Sequence, residues 1–241
     1  MENIKNLKPI FSALQKFSSI DFEGNLSMIL FTGGCNFRCS YCHNPDFVLP
    51  ELIKFEEKNK ILEFLEKRKN TLDSVVICGG EPTLHGENLI NWIKYIKTLG
   101  YKIKLDTNAT KPKIIKQLLN ENLIDYFAID YKAPIDKYEQ IIKMPLNKKE
   151  LIEGLKLVIN SKIPYEIRTT IHSDLHTRED ISQMIKELKE LKVKHYYLQA
   201  FNKPSKSVGE ISDGLGTQSL VKQFQEELNS SFEISEIRNL N

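Results

Sequence analysis

The chain has 241 residues, enough for one large domain or two small ones and for a substantial core. Hydrophobic residues make up 41% and charged residues 27%, an ordinary globular balance, and a net charge of +2 predicts neither a nucleic-acid footprint nor a membrane-binding surface. The opening stretch "MENIKNLKPIFSALQKF" has no sustained apolar run, so no secretory signal or spanning helix is expected there. A cytoplasmic protein with reduced thiols is the expectation.

In chain order, "FSALQKFSSIDFEGNL" reads as a short hairpin or arm ahead of the first core strand. Short apolar, β-rich runs then recur at Leu26–Thr32, Ser74–Cys78, Lys102–Asp106, Tyr126–Asp130, Tyr165–Thr170 and His195–Ala200. Helical periodicity fills the gaps. Leu89, Trp92, Ile93, Ile96 and Leu99 make an apolar stripe stopped by Gly100. Ile181, Met184, Ile185, Leu188 and Leu191 make another, with Thr177 and Asp180 placed to cap its start. Glu56–Lys69, Lys113–Leu119 and Lys148–Asn160 read as further helices. The tail from Asn202 is polar, with one amphipathic helix over Gln218–Leu228 and a late alternating run, "FEISEIR". Strand and helix alternate about six times, which predicts parallel strands with crossover helices. The order alone leaves open a doubly wound sheet, a barrel or a partial barrel.

Polar residues gather at the C-terminal ends of these strands: the cysteine loop, Cys78-Gly79-Gly80-Glu81-Pro82, Asp106-Thr107-Asn108, Asp130-Tyr131-Lys132, Arg168-Thr169-Thr170, and Gln199. Ligands of α/β sheets and barrels bind outside those ends. One polar strand end is unremarkable, because strand ends meet water. Agreement among several predicts one shared mouth.

Three of the four cysteines lie within "TGGCNFRCSYCHNP" as Cys35-x3-Cys39-x2-Cys42. Close spacing in a reducing compartment points to metal or redox chemistry rather than disulfides. Thiolates select zinc, copper(I) or iron–sulfur clusters. Structural zinc wants a fourth protein ligand, and His43 follows Cys42 too directly to serve well. In a cubane cluster each thiolate holds one iron, so three leave a fourth iron open to a small molecule.

The cysteine spacing with Tyr41 before the last cysteine, followed by "GGEP" at 79–82, resembles the radical S-adenosylmethionine (radical SAM) superfamily. "LQKFSSIDFEG", "FTGGCNFRCSYCHNP", "GGEPTL", "KLDTNAT", "YKAP" and "RTTI" run in the order seen in activating proteins of anaerobic ribonucleoside-triphosphate reductase, from about Leu14 to Phe201. Pyruvate formate-lyase activating enzymes share much of this pattern. The resemblance implies a partial (β/α)6 TIM-like barrel forming a single radical SAM domain over 1–241: core about 24–201, N-terminal arm 1–23, C-terminal extension 202–241.

It also implies that Cys35, Cys39 and Cys42 ligate a [4Fe–4S] cluster whose fourth iron takes S-adenosylmethionine. Tyr41 would lie near the adenine through its backbone. Gly79, Gly80 and Glu81 would take the methionine ammonium, and Asp106 and Asn108 the ribose side. Lys132 would neutralise the methionine carboxylate, with Arg168 a further carboxylate-binding candidate beside the alternative of an ordinary surface ion pair. Asp106 and Asp130 are the candidates for holding a monovalent cation. The implied reaction is one-electron cleavage to methionine and a 5′-deoxyadenosyl radical, which abstracts hydrogen from a backbone glycine of a partner reductase. Implied partners are that glycyl-radical protein and a reduced flavodoxin or ferredoxin, with no nucleic acid and no membrane.

Two readings stand beside it: a small-molecule radical SAM enzyme similar to 7-carboxy-7-deazaguanine synthase, and a zinc-stabilised binding protein using the three cysteines and His43. The chain has no second cysteine cluster and therefore no expected auxiliary cluster. Cys78 stands where relatives more often have Ser or Thr; a buried structural thiol is expected, with a place near the cofactor as the alternative. "NAT" at 108–110 replaces the more usual "NGT", with a slight backbone shift expected. His172 and His176, flanking a loop after the fifth strand, read as surface histidines, with a role in proton transfer as the alternative.

Overall fold

A computed structural model describes residues 7–240. Residues 1–6 of the expected arm and residue 241 of the expected extension lie outside the described residues. Eight strands form one sheet whose spatial order equals the chain order. They are β1 Phe11–Ser18, β2 Ser27–Thr32, β3 Ser74–Gly79, β4 Lys102–Thr107, β5 Tyr126–Asp130, β6 Tyr165–Ile171, β7 His195–Ala200 and β8 Ile234–Arg238. β1 runs antiparallel to β2, and every later pair is parallel. A doubly wound sheet reverses its order at a switch point. Here each strand adds beside the last, and β1 and β8 remain at opposite edges, so the fold is a partial barrel rather than a closed one.

The connecting helices are α1 Pro45–Val48, α2 Lys58–Arg68, α3 Glu87–Thr98, α4 Pro112–Asn120, α5 Tyr138–Ile142, α6 Lys148–Ile159, α7 Arg178–Glu190, α8 Thr217–Lys222 and α9 Gln225–Ser231. The two apolar stripes face inward as expected: Leu89, Trp92, Ile93 and Ile96 of α3, and Ile181, Met184, Ile185 and Leu188 of α7, are buried in the main core. Each such side chain contributes about 1.5–3 kcal/mol by leaving water. Gly100, at φ +91, ends α3. Thr177 and Asp180 form a reciprocal capping box at the start of α7. None of the described helices is long and apolar enough to cross a membrane.

Strand periodicity of two gives the sheet two unlike faces. Ile103, Leu105, Ile167, Ile171 and Leu198 pack against the helices. Their alternates include Lys104 and Asp106 on β4, Glu166 and Arg168 on β6, and Cys78 on β3. These face the barrel interior, where a small apolar cluster of Phe22, Ile29 and Val76 is flanked by Phe31, Cys78 and Tyr126. The interior is therefore largely polar, and the greasy core lies between sheet and helices.

The tail departs from expectation at Gln218–Leu228, which is two helices rather than one. Phe224, with φ −100 and ψ 3, lies between them. Val221, Phe224 and Leu228 are all buried, which the break makes compatible with the turn toward β8. The "FEISEIR" run supplies β8.

At one point a helix meets a strand exit with no space between them. A Cβ on Gly154 of α6 would sit 2.0 Å from Ala109 O. Ala109, in "NAT", itself holds φ +59, a conformation that suits glycine, while its methyl is fully buried. Gly154→Ala gains up to about 1 kcal/mol in helix propensity. The clash with an immobile carbonyl costs about 3 kcal/mol, the upper range for overpacking. The expected result is a net loss of about 2 kcal/mol, read by thermal unfolding. A variant as stable as the parent would show that the contact yields.

Candidate active site

The C-terminal strand ends open into a cavity of about 450 Å³. All twelve residues singled out from the sequence line it: Cys35, Cys39, Tyr41, Cys42, Gly79, Gly80, Glu81, Asp106, Asn108, Asp130, Lys132 and Arg168. Asp21, Phe37, His43, Asn44, Val48, Cys78, Thr107, Thr170 and Gln199 complete the wall.

The cysteine loop is fixed by backbone at both ends. Gly34 N–H donates to Phe47 O (2.7 Å) and Gly34 O accepts from Glu81 N–H (2.7 Å). His85 Nε2 lies 2.8 Å from Gly33 O. Arg38 donates its guanidinium to Cys35 O and Phe37 O, each at 2.7 Å, and its N–H to Ile142 O (2.8 Å). On the far side, Val208 N–H donates to Cys42 O (3.1 Å) and Gly209 N–H to Ser40 O (3.0 Å). The polar tail thus straps the loop down.

The three thiols are free. Burial pushes Cys35 up to about 12 and Cys39 up to about 11, and raises Cys42 as well. Among the described residues no three His, Cys, Asp or Glu side chains converge as ligands of one metal ion. His43 packs edge-on against Phe201 instead, with centroids 5.7 Å apart. The zinc set of three cysteines and His43 is therefore not assembled. Thiolates of a cubane bind different irons and need not meet at one atom, so the donor set fits a cluster. Two buried polar atoms without partners, Tyr41 Oη and Asp106 Oδ1, belong to residues lining the same cavity. An incoming ligand with polar groups would relieve their isolation.

Glu81 ties two strand ends together. Its Oε1 accepts from Thr83 N–H (3.0 Å), from the Thr83 hydroxyl and from Thr107 Oγ1 (2.6 Å). Its Oε2 accepts from Asn108 N–H (2.7 Å). Burial raises its pKa against the pull of these donors. Asn108 in turn donates Nδ2 to Asn36 Oδ1 (2.9 Å), joining β4 to the cysteine loop. Glu81→Gln would turn an NH2 toward one of those donors. The expected cost is about 2–3 kcal/mol, or about 5–10 °C in Tm for a chain of this size. An unchanged Tm would mean that the carboxylate is not the anchor of these strand ends.

Beside Glu81 lies a charged layer. Arg168 Nη2 is 3.0 Å from both Asp106 Oδ2 and Asp130 Oδ1, and Lys132 Nζ is 3.2 Å from Asp130 Oδ2. Arg168 is thus an interior bridge across three strands, neither a surface ion pair nor a free carboxylate receptor. Burial alone would raise Asp130, but Lys132 and Arg168 outweigh it and hold the carboxyl down at about 2. Asp106, with one oxygen unpartnered, is raised by burial despite Arg168.

The histidine expectation fails. His172 and His176 are both fully buried. His176 Nδ1 accepts from His172 N–H (3.2 Å), so its Nε2 donates to Lys132 O (2.9 Å). Tyr138 accepts Lys132 N–H at its hydroxyl (3.1 Å). Both polar groups of the Lys132 backbone are therefore pinned. The segment around Ser212 and Thr217 covers His172 from far along the chain: His172 Nε2 lies 3.3 Å from Ser212 O, and Ser173 N–H donates to Thr217 Oγ1 (3.0 Å). Cys78 is half-buried: it lines the cavity while packing on the interior apolar cluster, and burial pushes its thiol up. Thr83 was findable from "EPT", since a hydroxyl two residues after a buried carboxylate caps it. Asp21, arriving from the hairpin, had no local signal.

The sequence profile of the radical SAM superfamily matches residues 29–191. A candidate glycyl-radical enzyme activating enzyme of Methanocaldococcus jannaschii is 34% identical over 201 residues, 81% of each chain. A 7-carboxy-7-deazaguanine synthase of Clostridium acetobutylicum is 28% identical over 163 residues, 63% of this chain and 69% of that one. Among solved structures, Streptococcus suis SuiB bound to S-adenosylmethionine superposes with a TM-score of 0.65 at 15% identity, over 86% of this chain. The chain spans about half the length of that structure, 48%.

Proposed function

The chain belongs to the radical SAM superfamily, and from that premise we propose that it installs a glycyl radical on an anaerobic ribonucleoside-triphosphate reductase. It is an enzyme of the glycyl-radical activating class, which uses a [4Fe–4S] cluster and S-adenosylmethionine. Bound together, these supply one-electron cleavage of the sulfonium to methionine and a 5′-deoxyadenosyl radical able to take hydrogen from a glycine Cα.

The residues then divide the work. Cys35, Cys39 and Cys42 hold the cluster. The backbone of Gly79 and Gly80 admits the methionine ammonium closely, because neither carries a Cβ. Glu81 acts mainly by fixing Thr107 and Asn108, since Oε1 is filled and only Oε2 keeps acceptor capacity. Lys132 meets the methionine carboxylate, and Tyr41 and Asn108 flank the nucleoside. Arg168 supplies positive charge between Asp106 and Asp130, which leaves Asp106 Oδ1 to take a monovalent cation or a ligand hydroxyl. The chain works as one domain in the reducing cytosol, drawing electrons from a reduced flavodoxin or ferredoxin.

The observation that carries this reading is the convergence of three free thiols, two glycines and the charged layer on one cavity. The relative named for glycyl-radical activation matches at higher identity and over more of the chain than the small-molecule synthase does. The test is anaerobic reconstitution with iron and sulfide, reduction with dithionite and addition of S-adenosylmethionine. 5′-Deoxyadenosine is expected, and its absence with an intact cluster sinks the enzyme class. Adding the host's anaerobic reductase should then give a glycyl radical in electron paramagnetic resonance. Cofactor cleavage without that radical would overturn the target alone.

A further inference from the structure

The C-terminal extension reaches the charged layer through its last strand. Arg238 of β8 places Nη1 2.9 Å from Glu166 Oε2, and its guanidinium carbon lies 3.8 Å from the centre of the Tyr197 ring. Its Nε also meets Glu236 Oε2 at 3.2 Å. Glu166 is only 3% exposed and faces two other cations through Oε1: Lys104 Nζ at 3.3 Å and Arg168 Nη1 at 3.5 Å. Arg168 in turn holds Asp106 and Asp130 at 3.0 Å. A continuous set of charge contacts therefore runs from the end of the chain to the carboxylates lining the cavity.

The distances state a division of labour. A buried carboxylate must be satisfied by donors, and leaving it short is costly. Arg238 makes the shortest contact to Glu166, and Arg168 makes the longest. With Arg238 present, Arg168 is left to the two aspartates. Without it, Glu166 has only Lys104 and Arg168, and the guanidinium is drawn down toward it and away from the cavity. We propose that Arg238 is a positioning residue: by engaging Glu166 it keeps Arg168 on Asp106 and Asp130, so β8 belongs to the apparatus that shapes the cofactor cavity. The inference rests on the reading that this cavity binds S-adenosylmethionine.

The experiment measures equilibrium binding of S-adenosylmethionine to the cluster-reconstituted full chain, together with the steady-state kinetics of its cleavage. Arg238→Met removes the charge, and with it both the Glu166 contact and the guanidinium stacked on Tyr197, while keeping an unbranched apolar side chain. Affinity should fall about tenfold, within the range transmitted through buried polar networks. KM should rise in step while kcat stays within about twofold, the pattern of lost binding rather than lost chemistry. Arg238→Lys should recover most of the affinity. Adding Glu166→Gln to Arg238→Met should also restore part of it, by removing the stranded charge. Lys194→Ala is the control for strand docking, since it breaks the exposed Lys194–Glu233 pair at the start of β8 and touches nothing in the cavity. Its affinity should match the parent's. Parent-like affinity in Arg238→Met overturns the inference, as does a loss shared by Lys194→Ala or one that Arg238→Lys leaves unrepaired. If the unmodified chain binds no S-adenosylmethionine, the functional reading falls first.

Discussion

Replacing Cys39 by serine should leave a folded protein that assembles no complete cluster and cleaves no S-adenosylmethionine. Cys39 is 4% exposed and sits in the middle of the loop. Its main-chain oxygen accepts Cys42 N–H at 3.0 Å, so the loop's turn does not depend on the sulfur. The cost to stability is therefore small. The cost to chemistry is not. A hydroxyl is a harder and far more weakly acidic donor than a thiol, and iron–sulfur clusters select thiolates. With one of three attachment points gone, one more iron has no protein ligand. Activity should drop about a thousandfold or more, the scale seen when one member of a group acting as a unit is removed. Iron and sulfide per chain, with thermal unfolding of the metal-free protein, read the two effects separately. A Cys39→Ser variant that takes up a full cluster and makes 5′-deoxyadenosine would remove the basis of the assignment. Metal loading also has to overcome the raised thiol pKa values of Cys35 and Cys39, so reconstitution should improve with pH as thiolate becomes accessible.

How far the sequence carries toward this site depends on whether a signal is local. The cysteine spacing, the Gly-Gly pair and the polar residues at strand exits are local, and the winding of the barrel brings them to one mouth without further information. The capping box at Thr177 is local too, and it forms as read. The contacts that fail to show in sequence are between distant strands. Glu166 and Lys104 look like ordinary charges within their strands, and only curling the sheet turns both inward to meet at 3.3 Å. Arg168 read equally well as surface or site because its partners lie on β4 and β5. His172 and His176 read as exposed because their partners are remote in sequence: Ser212 O for His172 and Lys132 O for His176. Phe224 read as part of a continuous helix, but burying it goes with a break in that helix. In each case the missing term is tertiary: local pattern sets which face a side chain occupies, and closure of the barrel sets what that face meets.

Closure also makes one small residue nearly irreplaceable. Gly80→Ala is expected to abolish function with only a moderate loss of stability. A Cβ there would lie 2.1 Å from Gly34 O, 2.7 Å from Gly34 C and 2.8 Å from Phe47 O. All three are backbone atoms, so no side chain can rotate out of the way. They are also the atoms that set the entry of the cysteine loop, through Glu81 N–H to Gly34 O and Gly34 N–H to Phe47 O, both 2.7 Å. Relieving the overlap means moving that loop by about an ångström, which breaks one or both bonds. Overpacking of this kind costs about 1–3 kcal/mol, which a domain of this size can survive. A misplacement of that size in a site built to orient reactants costs about a hundredfold in rate. Here it acts on the first cysteine and on the Gly79–Glu81 turn together. Gly80→Ala should therefore retain a cooperative unfolding transition while losing cluster occupancy and S-adenosylmethionine affinity in parallel. If occupancy falls and affinity per loaded cluster does not, the turn and the loop are independent. If neither falls, the close approach of Gly80 to Gly34 is not what holds the site.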